Sequence, residues 1–531
     1  MIAATTLALS SVGNTSATSW ISHISQPCLK RYLNSPAIDS AKMKKSILSM
    51  FGEKGILLDP KAIDALMGLS DAEGCAERII NDSKNRPLVL TEEDVAKYAG
   101  ANPDAAVKPA RMPSAHTGLR TPSTTPVKQP APPHGVKVLK DITGNSTCVG
   151  NVIDFAKLFN DRYTTLRKML SKRRELAGLM PIARARKLER DLRFAGIVND
   201  SRSTKNGHTI IEMEDETDKV QVLVLKGSIR DNEAFFKDEV LGIIGAASKD
   251  GEIVIAKDII RPDVPLTSGM VPNGSDSVVA FVSDIHIGSN TFLDKEWARF
   301  VAWLRKDPVA KDIRYMIMPG DLVDGIGIYP GQEDELRIDD VYAQYAALAE
   351  IVKDFPDWIQ VVMMPGNHDA VRLAEPQPAL SKDITDLFDP AVKFVGNPCY
   401  MEIEGRTILA YHGKSIDDFN SGARHLNYTN PQEAMKEMLK RRHLAPVYGE
   451  KTPLAPEQKD YLVIDIVPDI FVTGHVHVCK LDEYRGIKLI NASAWQSQTP
   501  FQRMHNQMPD PAKVPMVHLG TGECWVESFS S

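Results

Sequence analysis

Residues 278–290 read VVAFVSDIHIGSN. Val278, Val279, Ala280, Phe281 and Val282 form an unbroken apolar run, the pattern of a short strand buried on both faces. The run nevertheless gives way at once to Asp284 and His286, groups that are costly to bury without partners. Four later stretches repeat this grammar: IRYMIMPGD (313–321), WIQVVMMPGN (358–367), TILAYHG (407–413) and PDIFVTGH (468–475). Each ends in glycine with a carboxylate, amide or imidazole beside it, and strand ends are where α/β sheets gather ligand sites.

In chain order the polar residues are Asp284 and His286, Asp321 and Asp324, Asn367, His368 and Asp369, His412, and finally His475 and His477. Side chains alternate along an extended strand, so the spacing predicts that Asp284 and His286 point to one side, as do His475 and His477. A D-x-H pair alone is weak evidence. Five such groups in series are not, because each left without a partner would cost about 1–3 kcal/mol. Oxygen and imidazole donors without a thiolate suit Mn2+, Fe or Zn2+.

The order D-x-H, GD-x-x-D, GNHD, H and GH-x-H resembles the calcineurin-like metallophosphoesterases. The resemblance implies two divalent metal ions, with Mn2+ expected first and Mg2+, Fe or Zn2+ as alternatives. One ion would be held by Asp284, His286, Asp321 and His477, the other by Asp321, Asn367, His412 and His475. His368 would stand beside the scissile phosphate and be oriented by Asp369. Asp324 would support a ligand from behind.

The 531 residues carry a net charge of −6, which excludes a polycationic chain, and 43% are hydrophobic, enough for a large core. The six cysteines show no C-x-x-C spacing, which argues against a disulfide framework or a thiolate zinc site. No apolar run approaches the ~20 residues of a membrane helix. The expected organisation is a disordered extension at 1–42, a helical module at 43–98 and a Pro/Thr/Ser/Ala-rich flexible linker at 99–137. A basic helical connector at 138–190, an OB-fold barrel at 191–268 and a metallophosphoesterase domain at 276–531 follow. The barrel rests on about five short strand signals within 194–265.

The OB-like stretch IVNDSRSTKNGHTIIEMEDET (197–217) and IIRPDVP (259–265) precede the phosphoesterase motifs. With DFAKLFNDRYTTLRKML (154–170), YPGQEDELRIDDVYAQY (329–345) and SAWQSQTPFQ (493–502), they resemble the small subunits of archaeal D-family DNA polymerases. That resemblance implies an α+β multidomain chain: a small N-terminal helical module, an OB-fold β-barrel, and a calcineurin-like phosphoesterase β-sandwich flanked by helices. It further implies a 3′–5′ exonuclease acting on the DNA primer 3′ end. The partner would be a large catalytic polymerase subunit, since this chain shows no polymerase motif set. The expected location is cytoplasmic, at the nucleoid. A scaffold subunit whose catalysis is dispensable and a stand-alone phosphodiesterase are the alternatives.

Other residues invite plainer readings. Arg167, Lys168, Lys172, Arg173, Arg174, Arg184, Arg186, Lys187 and Arg190 read as a solvated basic face, with a phosphate-tracking patch as the alternative. Arg424, Arg441 and Arg442 read as another solvated face, and DNA contact is again the alternative. Trp495 reads as a core residue, with base stacking at a strand end as the alternative. His425, His443, His505 and His518 read as packing or surface histidines. Tyr329 and Gln332 fall in a long loop that could gate the site or touch DNA.

Overall fold

The computed structural model describes residues 47, 50–51, 57–58, 60–67, 69, 71–81, 89–90, 95, 135–188, 190–228, 233–249 and 252–530. The extension expected at 1–42 and the linker expected at 99–137, except residues 135–137, lie outside them. The chain divides into two compact units, Met1–Thr117 and Gly118–Ser531.

In the first unit, strand β1 (Leu57–Leu58) pairs in parallel with β2 (Val89–Leu90). Helices α1 (Pro60–Met67) and α2 (Ala72–Asn81) lie between them in sequence. Ala72, Cys75, Ala76 and Ile79 recur at helical spacing and are buried, joining Ala62, Leu66 and Phe51 in one small core.

The second unit opens on strand β3 (Lys137–Lys140) and helix α3 (Val152–Leu170), whose Asn151 side chain accepts from the Asp154 backbone N–H. The connector expected at 138–190 is therefore not helical at its start, because β3 adds to an edge of a later sheet. The helix ends at Leu170, and a 3-10 turn follows at Arg174–Leu176.

Strands β4 (Leu192–Ser203), β5 (Thr209–Glu214), β6 (Lys219–Val224), β7 (Val240–Ala247) and β8 (Ile253–Ile260) close a barrel in the order β4-β5-β6-β8-β7. All pairings in it are antiparallel except β6–β8. Phe194, Val198, Ile211, Met213, Val222, Leu241, Ile243 and Val254 fill its interior.

Two six-stranded sheets make up the remainder. The first runs β12-β11-β10-β9-β18-β19, from β9 (Val278–Phe281), β10 (Ile313–Pro319), β11 (Gln360–Met364), β12 (Lys393–Phe394), β18 (Lys513–His518) and β19 (Cys524–Ser528). The second runs β16-β17-β15-β14-β13-β3, from β13 (Cys399–Ile403), β14 (Arg406–Ala410), β15 (Ile470–Thr473), β16 (Lys480–Tyr484) and β17 (Ile487–Asn491).

Alternation along the strands builds the layers. Val279, Phe281, Tyr315 and Ile317 of the first sheet meet Met401, Ile408, Ala410, Val472 and Ile490 of the second. The intervening residues Val278, Ala280, Met316 and Met318 face outward onto α4 (Asp294–Lys306) and α5 (Val341–Val352), through Trp297, Phe300, Tyr345 and Leu348. On the other outer face, Tyr400, Leu409, Phe471 and Leu489 pack on α6 (Ile416–Gly422) and α7 (Pro431–Arg441). The result is a mixed α/β body, a two-sheet sandwich covered by helices on both sides. The apolar run 278–282 is thus dry on both faces, as its composition predicts.

Candidate metal centre

Strands β9, β10 and β11 run parallel in one sheet, and β14 and β15 run parallel in the other. All ten candidate residues follow the C-terminal ends of these five strands, so two parallel ridges converge on one edge of the sandwich. Strand β9 ends at Phe281, three residues before Asp284. The expected same-side alternation is therefore not what aims the side chains. Asp284, His286, Asp321, His475 and His477 all have left-handed backbones, with φ between 49° and 71°. Non-glycine residues visit that region rarely and at some cost, and it clusters at functional sites. The tight turns lead each polar group back towards the sheet edge.

The donors form three groups whose atoms lie within 4.8 Å of one another: Asp284, His286 and His477; Asp321, His412 and His475; and His286, Asp324 and His368. The imidazole Nε2 atoms of His286 and His477 approach to 3.1 Å. Asp321 Oδ2 stands 3.3 Å from His412 Nε2 and 3.8 Å from His286 Nε2, which places this carboxylate between the first two groups. The Asn367 amide oxygen lies 3.1 Å from His412 Nε2. Both Asp284 oxygens accept from the His475 backbone N–H at 3.0 Å, and Oδ1 is 3.4 Å from His477 Nε2.

The imidazoles are held from behind. His286 Nδ1 meets Asp324 Oδ1 at 2.9 Å, and Asp324 is steadied by the Gln332 and Gln496 amides. His412 Nδ1 meets the Pro319 carbonyl at 2.9 Å, which leaves Nε2 for a ligand. Buried nitrogen and oxygen donors in two adjoining clusters, joined by one carboxylate and lacking a thiolate, fit a pair of divalent cations.

Electrostatics divide the imidazoles. Burial lowers the pKa of His286 and His475, leaving neutral imidazoles with a lone pair to give. Burial opposes charge at His412 too, but the Asp321 carboxylate more than offsets it and lifts His412 to about 10. Asp321 sits well below the carboxylate range, since His412 and its imidazole neighbours overcome the burial penalty.

His368 follows a different course from the expected one. Its Nδ1 meets the Asp324 carbonyl at 2.8 Å, and its backbone N–H donates to Asp321 Oδ1 at 2.9 Å. Asp369 does not orient it. The Asp369 carboxylate accepts from Leu322 N–H (3.2 Å), Gly366 N–H (2.8 Å) and the Tyr345 hydroxyl (2.8 Å), tying the loops after β10 and β11 together. Burial, then the nearby Asp321 charge, raise it to about 6.

Sequence reading missed two side chains that touch the donor imidazoles. Asp417 contacts His475 Nε2 at 3.2 Å and sits only five residues after His412. The Gln502 side-chain amide meets His477 Nδ1 at 2.8 Å from α8 (Pro500–Met504), where Thr499 and Gln502 form a capping box. The T-x-x-Q spacing is readable as a helix start, but its contact with His477 is not.

The remaining expectations divide. Trp495 is fully buried, and His443 is a packing residue 2.8 Å from Asp460. Arg441 and Arg442 form no solvated face and offer nothing to DNA: both are buried, Arg441 against Glu239, Glu437 and the Phe236 ring. Arg173 and Arg186 of the basic cluster are likewise engaged, on the Pro262 and Asp263 carbonyls and on Asp218.

A family model for the B subunits of DNA polymerases alpha and epsilon matches residues 279–479, a span that holds all ten candidate residues. The DNA polymerase II small subunit of Methanothermobacter thermautotrophicus is 38% identical over 489 residues, covering 89% of this chain and 98% of its own. This chain belongs to the archaeal DNA polymerase II small-subunit family. The Archaeoglobus fulgidus small subunit is 43% identical over 392 residues, covering 72% of this chain and 79% of its own. A solved archaeal phosphodiesterase aligns with 47% of this small-subunit chain at 10% identity and a TM-score of 0.25. Among the described residues of the small subunit, no helix is long and apolar enough to cross a membrane.

Proposed function

We propose that the chain is a metal-dependent phosphodiester hydrolase that removes nucleotides from DNA 3′ ends, working beside a large catalytic polymerase subunit. One observation carries this reading: Asp321 lies between two clusters of buried imidazole and carboxylate donors at the convergent ends of five parallel strands.

Asp284, His286, Asp321 and His477 would hold one divalent cation. Asp321, Asn367, His412 and His475 would hold the other, Mn2+ being the first candidate. Such a pair, when bound, supplies an acidified water and neutralises phosphoryl charge. The chain's own residues do the rest. Asp324 and Gln502 fix the rings of His286 and His477. His368 donates Nδ1–H to the Asp324 carbonyl, which fixes the ring; only as the imidazolium would its Nε2 also donate, to a phosphate oxygen or to the departing sugar oxygen. The carboxylate of Asp369, bonded to both loops, sets the position of the GNH turn rather than a proton. The strand order of the barrel matches an OB-fold, and we assign it to that class.

The test is nucleotide release from a 3′-labelled mismatched primer by the purified chain with Mn2+ or Mg2+, compared with His368→Ala and Asp321→Asn. Release by the unsubstituted chain alone supports the reading. Intact primer throughout, with folded and metal-loaded protein, leaves the scaffold role. Cleavage of bis-p-nitrophenyl phosphate without any on DNA would favour a small-molecule phosphodiesterase.

A further inference from the structure

Two loops that hold the centre also carry aromatic rings, Phe501 exposed and Tyr329 half-buried, and nothing in the hydrolytic mechanism uses those rings. Gln502 grips His477, and its chain neighbour Phe501 is 47% exposed. Gln332 steadies Asp324, and three residues before it in the same loop stands Tyr329. The Phe501 and Tyr329 rings lie 6.2 Å apart at 30°. His505, one turn on from Phe501, lies 4.2 Å from it at 37°. Met504 and Met508 are 79% and 68% exposed, and Ile326 is 41% exposed.

Phe501, Tyr329 and His505 form one contiguous set of rings, and contiguous apolar surface marks interaction sites where single exposed residues do not. The row is also anchored: Thr499 caps the short helix, Gln502 closes the capping box, and the Tyr329 hydroxyl donates to Glu335 at 3.1 Å. The rings are therefore pre-positioned, which lowers the cost of binding a planar partner. Their place fixes what that partner is. Phe501 and Gln502 are chain neighbours, with Cα atoms about 3.8 Å apart. The Phe501–Tyr329 pair thus joins two loops that each touch the centre, one through Gln502 on His477 and the other through Gln332 on Asp324.

We propose that Phe501, with Tyr329 and His505, is a stacking ledge for the base of the unpaired 3′-terminal nucleotide of a DNA strand. This rests on the hydrolase reading and deepens it by naming the side chains that would seat the unpaired 3′ end. Stacking does not depend on base identity, because every base has a π-face. A base still paired in a duplex cannot turn onto the ledge, so Phe501 selects frayed or mismatched ends.

A binding cycle on the full chain tests this without requiring cleavage. The dissociation constant of a short single strand is measured for His368→Ala and for His368→Ala with Phe501→Ala. Each protein is tested with an intact 3′-terminal nucleotide and with an abasic one. The expected result is that Phe501→Ala weakens binding of the intact end about 5- to 150-fold and leaves the abasic end within about twofold. Phe501→Trp should hold the intact end, which rules out a merely structural loss. Equal weakening of both ends, or of neither, overturns the assignment. Unchanged DNA binding with lost large-subunit association overturns it also, and makes the ledge a protein contact. Absence of nucleotide release by the unsubstituted chain refutes only the hydrolase reading, since the cycle reads affinity alone.

Discussion

Gly366→Ala adds one carbon at the most crowded point of the centre. An ideal Cβ there would lie 2.5 Å from the Asp321 backbone nitrogen and 2.8 Å from His412 Cε1, and would press on Asp321 Oδ1. The φ of Gly366 is not in the left-handed region, so alanine can adopt its backbone and only space forbids it. Carbon contacts are comfortable at about 3.5–4.0 Å. His412 must therefore retreat by about 0.7 Å or more, and the GNH turn must move away from Asp321. Overpacking of this kind costs about 1–3 kcal/mol, and a misplacement near 1 Å at a reacting centre costs about 10²-fold in rate. Thermal melting and nucleotide release with Mn2+ should show a folded protein, its Tm lowered by a few degrees, working about 100-fold more slowly. Gly135→Ala is the control, since a Cβ there meets nothing within 4 Å. A folded Gly366→Ala protein with unsubstituted rates would refute the placement of Asp321 and His412 in one working site.

Three further outcomes follow from the geometry. Arg162→Met removes a buried guanidinium 2.7 Å from Asp460 and strands that carboxylate, so urea or thermal unfolding should show a loss of about 3–5 kcal/mol. Burial and the Arg162 charge push His443 down to about 4, so without Arg162 it can take a proton and pair with Asp460, making the loss smaller at pH 5 than at pH 8. Burial raises Glu375 to about 7 from 4.5, so the folded state binds its proton more tightly and the penalty is absent below about pH 4.5 and complete above about pH 7; Glu375→Gln should raise Tm at pH 8.5 and leave it unchanged at pH 4.5. Because His412 holds a proton up to about 10, cation binding must displace it, and calorimetry of Mn2+ binding to the chelator-stripped chain should show affinity rising with pH.

Much of this was legible in the sequence, for identifiable reasons. Apolar runs such as 278–282 and 361–364 must be buried, and a polar group directly after such a run is anomalous unless something binds it. Five anomalies in one order named both the fold and the candidate donors. Backbone handedness was not legible. Nothing in D-I-H or H-V-H says that the first and third residues adopt positive φ, and an extended reading reaches the same convergence by the wrong route. Partners distant in sequence were also hidden. Asp369 lies beside His368 in the chain yet bonds Leu322, Gly366 and Tyr345. Arg441 looks like a surface cation until Glu239, about 200 residues earlier, is brought against it. Strand β3 fell between a linker and a helical connector because four residues of edge strand carry too little pattern to separate them from either.

Counting metal against activity tests the central claim most directly. The purified chain is stripped with a chelator and titrated with Mn2+, and bound ions and nucleotide release from a 3′-labelled mismatched primer are measured on the same samples. The arrangement of Asp284, His286, Asp321, Asn367, His412, His475 and His477 predicts no release from the stripped chain and full release at two ions per chain, with both lost in Asp321→Asn. Full release with no ion bound, or two ions bound to a folded chain that leaves the primer intact, would contradict it.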